Sequence, residues 1–462
     1  MIPRRKRSFG RHLRYRWRTK PRICQSRIRP RRNQATPRHA PTRVAILINN
    51  TYVADARAWK MAVSLGKAGH DVTVIARWGA GLATTEELDH HRVTRVRQPQ
   101  PLAWLPVPNL PETGDEGRGL VGGLRRRVRD TLGRAVQVLR YLRMSRAWSR
   151  VIADQIEPVD VWQAESVITL DLAVALRRRF GGVVVYDAND IDSEAGRMAR
   201  LPGAWKQLLR RHERRLARSA DAIVTVSEPY ARTLARMLGR PVDAVVRNAA
   251  VVEQADAEPS AEDVRRSAHF QTRFALAEAT RVVLYIGQVM QGRGLRQLFE
   301  AIALVDDAVL VVAGFGPDYE RYRRMATALP HHELIHFAGA VSPVEIPSWT
   351  AGADVSAMPV QPDTLNHRLN TPTKLYDAIG VGVPVVASDL PGIAPIVRET
   401  GCGQLCDPTD PVDIARAIRA IIDAPEAERA ALRLRCLSAA RTRYSWEHQA
   451  RELLRVYRDL GA

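Results

Sequence analysis

The stretch Asn370–Gly392, NTPTKLYDAIGVGVPVVASDLPG, decides how the chain reads. Thr371 has N-cap chemistry, and Pro372 suits the first helical position. Thr373, Lys374 and Asp377 recur at spacings of three and four, so they share one helical face. Leu375, Ala378 and Ile379 make the opposite, apolar face. Gly382 ends the helix, Pro384 cannot continue it, and Val385–Ala387 is an apolar strand. A helix start offers unpaired N–H groups and partial positive charge, which favours an anion. A lysine one turn in adds charge, and an aspartate on the same face can accept hydrogen bonds from a diol. Phosphate donors beside a diol acceptor imply a nucleotide-sugar pocket; the pattern also suits an ordinary strand–turn–helix of an α/β protein.

This segment resembles the C-terminal signature of the retaining glycosyltransferases of family 4, P-x-K-x-x-E-A-x-A-x-G-x-P-V-V. The resemblance extends over most of the chain beyond residue 43. It implies the GT-B fold, α/β in class, with two Rossmann-like doubly wound parallel-sheet domains facing a central cleft. The C-terminal domain would hold a nucleotide-diphosphate sugar as co-substrate, and the N-terminal domain the acceptor. Upstream, VVLYIG and then G-Q-V-M-Q-G-R-G-L resemble the family's G-R-x-x-x-x-K-G, with Gly287 and Gln288 at its start. Arg293 matches the basic residue that holds the diphosphate, with Lys374 as its partner. Gln288 replaces an arginine, so one charge is missing there. Gly314-Phe315-Gly316-Pro317 resembles the G-x-G-P turn that passes close to the nucleotide. Phe337 and Gly339 lie in IHFAG, which resembles the V-x-F-x-G element whose main chain reads the base. Thr371, Pro372, Thr373 and Asp377 complete the expected donor face, with the backbone amides of Gly392 and Ile393. Leu369 stands where many members have a glutamate, and Asp377 is shorter than the usual glutamate.

The N-terminal half opens with an apolar strand, Arg43–Asn49, then a loop, then a helical period over 56–69 and a strand over 72–76. This is one βαβ unit with a right-handed crossover expected. Asn49, Asn50 and Thr51 fill a loop where the family mostly carries glycines. Asp55 and Arg57 are the acceptor-side candidates in it, although Arg57 also reads as an ordinary helix-start residue. Strands at 159–163 and 183–186 end in polar tips, and in open parallel sheets ligands meet those ends. The tips supply Glu165, Asp187 and Asp190, with Glu194 just beyond, as further acceptor-side candidates. Gln163 and Asn189 stand where the resemblance expects histidines.

Charge separates the chain into parts. The formal net charge is +21, and residues 1–43 hold sixteen Lys and Arg with no Asp or Glu. That arm reads as disordered. The domain plan is the arm 1–43, an acceptor-side domain 44–249, a linker 250–279, a donor domain 280–443, and a helix 444–462 crossing back to the first domain. Residues 98–123 read as a long Pro/Gly-rich loop. Residues 124–152 and 205–218 read as basic amphipathic helices, which suit an anionic membrane surface. With the acid-free charge outside the folded part, nucleic acid is not an expected partner. No run of 18 apolar residues occurs, and four cysteines without metal spacing suit a reducing compartment. The expected location is cytoplasmic, with peripheral attachment to the inner face of the plasma membrane. No D-x-D pair sits at a strand end, so no metal and no cofactor is expected. The expected role is transfer of a hexose-type sugar to a glycan or lipid-linked acceptor, in cell-surface polysaccharide biosynthesis. A catalytically silent partner protein and a sugar-nucleotide epimerase are the alternatives.

Overall fold

The computed structural model describes residues 41–53, 55–100, 143–252 and 269–462, with isolated helical positions between 133 and 140. The expected arm 1–40, the loop 101–123, most of the first basic helix and linker residues 253–268 lie outside the described residues.

Eight strands form the first sheet: β1 Arg43–Leu47, β2 Asp71–Arg77, β3 Thr85–Leu88, β4 His91–Val96, β5 Val161–Ala164, β6 Val183–Ala188, β7 Ala222–Thr225 and β8 Ala244–Val245. Their order is β3-β4-β2-β1-β5-β6-β7-β8, parallel throughout except for β3. Six strands form the second: β9 Arg281–Ile286, β10 Ala308–Ala313, β11 Ile335–Gly339, β12 Val355–Met358, β13 Val385–Ser388 and β14 Gly403–Cys406. Their order is β11-β10-β9-β12-β13-β14. Parallel strands joined by helical crossovers are covered on both faces, so they read as unbroken apolar runs. AVLVVA in β10 is buried at every position. Each large aliphatic side chain so buried contributes about 1.5–3 kcal/mol.

Both sheets are doubly wound, and each reverses direction at one point. In the first, β1 lies between β2 and β5; in the second, β9 lies between β10 and β12. The crevice outside the strand C-termini at such a reversal is where a ligand fits. β1 and β5 end at Leu47 and Ala164, just before the 48–55 loop and Glu165. β9 and β12 end just before the 287–294 and 359–364 loops.

The last helix, Trp446–Asp459, packs Trp446, Leu453, Val456 and Tyr457 into the core of the N-terminal domain. Its indole Nε1 donates to Ser64 Oγ at 2.8 Å, and the Tyr457 hydroxyl donates to Gln163 Oε1 at 2.6 Å. The two places where the chain passes between domains touch each other: Trp446 N donates to Ala250 O at 2.7 Å.

Residues 403–406 form a strand paired with β13, and the pairing of β8 is confined to Ala244–Val245. The β3–β4 pair is an addition the pattern did not mark.

Candidate functional site

On the C-terminal side the helix Thr373–Gly380 begins at Pro372 with no side-chain cap. Thr371, expected as its cap, instead donates its hydroxyl to Gly392 O at 2.5 Å. The start of the helix is therefore left to backbone N–H groups. Lys374 Nζ stands 3.7 Å from the Tyr285 ring centroid, held by the π face. Burial pulls its pKa well below the lysine range, the Arg293 charge adds to that, and Asp377 opposes it. Arg293 is half-buried and, among the described residues, makes no hydrogen bond or ion pair. Its charge acts on Lys374, on His367 and, across the cleft, on Asp190. Two cations that make no salt bridge among the described residues thus lie near an uncapped helix start.

The glycines of this face have a packing reason. Gly314 has φ +151°, and a Cβ there would lie 1.8 Å from Gly287 O. The ends of β9 and β10 therefore meet backbone to backbone, which only glycine permits. Gly314 N donates to Gly339 O at 2.7 Å, while a Cβ on Gly316 would strike Val289 O. Phe337 packs edge-on against Tyr319 and Phe299. Gln288 accepts the Tyr285 hydroxyl through its backbone carbonyl, at 2.5 Å.

One donor-side expectation fails. The amides of Gly392 and Ile393 are already engaged, donating to Arg368 O at 3.0 Å and Leu390 O at 2.9 Å. The turn is too closely packed to offer them: a Cβ on Gly392 would fall 2.3 Å from Leu369 O. Asp377 lies within the electrostatic reach of two lysines. Burial raises its pKa to about 6, against the pull of Lys60 and Lys374. Lys60 comes from the N-terminal domain, is pushed down to about 7 by burial, and donates to Ala249 O.

On the N-terminal side, Asp55 caps the helix Ala56–Lys67. Its Oδ1 accepts from Ala58 N at 3.0 Å and its Oδ2 from Asn50 Nδ2 at 2.6 Å. Tyr52 adopts φ +67° without being glycine. Its amide donates to Asn50 Oδ1 at 2.8 Å and its hydroxyl meets His91 Nε2 at 2.6 Å. Those bonds hold the left-handed conformation that a glycine would take freely.

Arg57 and Asp187, expected to face an acceptor, spend their charge on each other. The guanidinium donates to both Asp187 oxygens, at 2.7 and 2.8 Å, and to Val246 O at 2.7 Å. Their side chains are 5% and 0% exposed. Glu194 is likewise taken, by Lys206 at 2.9 Å and Arg210 at 2.7 Å. Glu165 is buried, and burial together with Asp55 and Asp187 raises its pKa far above the carboxylate range. Asp190 is the expected carboxylate that reaches the cleft without an ion pair. Burial raises it to about 6, and the Tyr230 hydroxyl and Arg293 partly offset that.

Between the domains lies a cavity of about 550 Å3. Asn50, Asp55, Arg57, Asn189 and Asp190 line it from one side, Asn370, Thr371 and Thr373 from the other. Arg293 and Lys374 stand beyond this lining. The sequence reading had not marked Asn50, Asn370, Tyr230, Asn366 or His367 as site residues. His367 carries a buried Nδ1 without a hydrogen bond among the described residues, and burial and the Arg293 charge lower its pKa. A histidine two residues before the Leu369–Asn370 loop was the available signal. Among the described residues no group of three His, Cys, Asp or Glu is placed to hold a metal, and no helix is long and apolar enough to cross a membrane.

Comparison with known proteins agrees with this geometry. Residues 54–249 match the model of the glycosyl transferase 4-like domain, and residues 280–424 that of the glycosyl transferases group 1. A 2-deoxystreptamine glucosyltransferase of Streptomyces kanamyceticus is 28% identical over 229 residues, covering 48% of this chain and 56% of that protein. A D-inositol 3-phosphate glycosyltransferase of Nocardioides sp. is 34% identical over 129 residues, 28% of this chain and 26% of its own length. The chain thus spans only part of the curated relatives it matches. Among solved structures, sucrose-phosphate synthase from Thermosynechococcus elongatus aligns with a TM-score of 0.64 at 16% identity, covering 91% of this chain and 99% of that one. Anabaena HepE in complex with UDP and glucose aligns with a TM-score of 0.62 at 15% identity, covering 90% and 99%. The fold is GT-B.

Proposed function

We propose that this chain, which belongs in both halves to the GT4-type glycosyltransferases, moves a sugar from a nucleotide-diphosphate sugar to a hydroxyl acceptor with retention at the anomeric carbon. The observation that carries this is the pair Arg293 and Lys374, which make no salt bridge among the described residues, beside an uncapped helix start at the β9 reversal. Breaking the sugar–phosphate bond leaves a diphosphate with growing negative charge. Cations fixed in a half-buried site stabilise that charge more in the transition state than before it. In this reading they do the work of a divalent ion, so no metal is required. The acceptor sits in the cavity against Asp190, Asn189 and Asn50, and the departing phosphate takes its proton.

The acceptor is a glycan or a lipid-linked molecule, and the chain works at an anionic membrane face in surface-polysaccharide synthesis. The helix Gly203–Ala217 supports this: with Arg218 it turns Leu208, Arg211, Arg214 and Arg215 outward, while Lys206 and Arg210 serve Glu194. Co-sedimentation with phosphatidylglycerol vesicles, and not with phosphatidylcholine vesicles, is the expected result. Identical partitioning into both would remove the membrane part of the reading.

The main test is incubation with UDP-glucose and GDP-mannose, with D-inositol 3-phosphate among the acceptors tried. Slow release of nucleoside diphosphate without acceptor, and an α-linked product with one, are expected. An inverted product would refute retention, and a free epimerised nucleotide sugar would favour an epimerase.

A further inference from the structure

The short helix Leu365–Leu369 leads directly into the donor-side loop, yet its Leu365, Asn366 and Leu369 side chains pack on the other domain. Leu369 is 8% exposed and sits in the apolar core of the N-terminal domain, with Leu365 packed against it. Ser227 Oγ donates to Leu369 O at 3.1 Å. Asn366, also buried, is bonded at both ends of its amide. Its Oδ1 accepts from the Tyr230 hydroxyl at 2.7 Å and from Ile191 N at 3.0 Å, and its Nδ2 donates to Ile191 O at 3.3 Å. All three partner groups belong to the N-terminal domain. A carboxamide accepts and donates within one planar group, which neither aspartate nor serine can do here.

We infer that Asn366 is a positioning residue: its amide latches the donor-side loop to the strand end that carries Asp190 and holds the cleft closed. The bonds cross the domain boundary, so opening the cleft must break them. They also fix Asp190. The Tyr230 hydroxyl has one proton and commits it to Asn366, while Asp190 Oδ1 lies 3.5 Å from the same oxygen. The 3.5 Å bond leaves Asp190 only weakly held by Tyr230, on the lining of the cavity. When the latch parts, that hydroxyl is free to turn fully to Asp190.

The inference concerns the chain without substrate, so it stands or falls apart from the transferase reading. Single-molecule energy transfer between dyes at Lys67→Cys and Val344→Cys, in a Cys24→Ser background, reads the interdomain distance directly. Cys402, Cys406 and Cys436 are buried and leave the labels unambiguous. Asn366→Ala should shift the closed-to-open ratio about tenfold toward open, the scale of one buried hydrogen-bond network. Tyr230→Phe, which opens little space, should give a smaller shift in the same direction. The double variant should move no further than Asn366→Ala alone. A distance distribution in Asn366→Ala equal to that of the parent would overturn the latch, even with a lowered melting point. Fully additive shifts in the double variant would also overturn it, because the two groups would then not act through one bond. Should Asn366→Ala fail to fold, Tyr230→Phe alone decides: a shift toward open supports the latch, and an unchanged distribution refutes it.

Discussion

The two faces of the cleft treat charge in opposite ways. On the C-terminal face Arg293 and Lys374 make no salt bridge among the described residues, and the helix beside them starts uncapped. On the N-terminal face Arg57 is closed on Asp187, Glu194 on Lys206 and Arg210, and Asp55 on its own helix. An unpaired, half-buried cation is costly unless something negative arrives. The C-terminal face therefore has an unmet need for an anion. The N-terminal face has met its needs internally and offers mostly neutral hydrogen-bonding groups. The asymmetry matches a charged donor on one side and an uncharged hydroxyl on the other.

The contrast is broken most severely from the donor side. Arg293→Ala with Lys374→Ala removes two charge-assisted contacts worth about 1.5–3 kcal/mol each. Isothermal titration with UDP should then show at least about hundredfold weaker binding. Wild-type affinity in that variant would place the diphosphate elsewhere. Next comes Arg57→Ala, which leaves Asp187 as an unpaired buried carboxylate. It should cost about 3–5 kcal/mol in denaturant unfolding. A loss below about 1 kcal/mol would mean that Arg57 is not structural.

Glu213 sharpens the picture of an N-terminal half that hides its charge. It is buried, accepts the Tyr186 hydroxyl at 2.9 Å, and burial raises its pKa to about 8. The folded chain keeps this proton in a range where the unfolded chain has lost it. Stability from the protonated form is therefore complete below about pH 4.5 and falls as pH rises toward 8. Glu213→Gln should flatten that slope and gain on the order of 2–4 kcal/mol at pH 8, and little at pH 4.5. Equal effects at both pH values would show that the carboxyl is not the cause. The smallest expected effect is none: EDTA should leave turnover unchanged if the two cations do the work of a metal. Loss of most activity would assign that work to a divalent ion.

The sheets were legible because parallel strands buried on both faces leave unbroken apolar runs such as VVLYI and AVLVV. The β3–β4 pair escaped because TEEL and HRVTRV are half polar, and GQLC because four residues between turns show no period. The placement of Arg293 and Lys374 near one another was legible because Gly and Pro turns fix where the loops fall. What could not be read was partnership. Nothing local to Arg57 announces Asp187, 130 residues on, and Asn366 meets Tyr230 across 136 residues. Thr371 has the chemistry of a cap, but the nearby carbonyl of Gly392 won its proton. Residue type gave the chemistry available at each point, and long-range packing decided which of it remained free.

A crystal structure of the chain with UDP tests the central claim most directly. The account predicts diphosphate oxygens within hydrogen-bonding distance of both the Arg293 guanidinium and the Lys374 ammonium, at the open start of the Thr373–Gly380 helix. A diphosphate bound on another face, with those two side chains left unengaged, would contradict it.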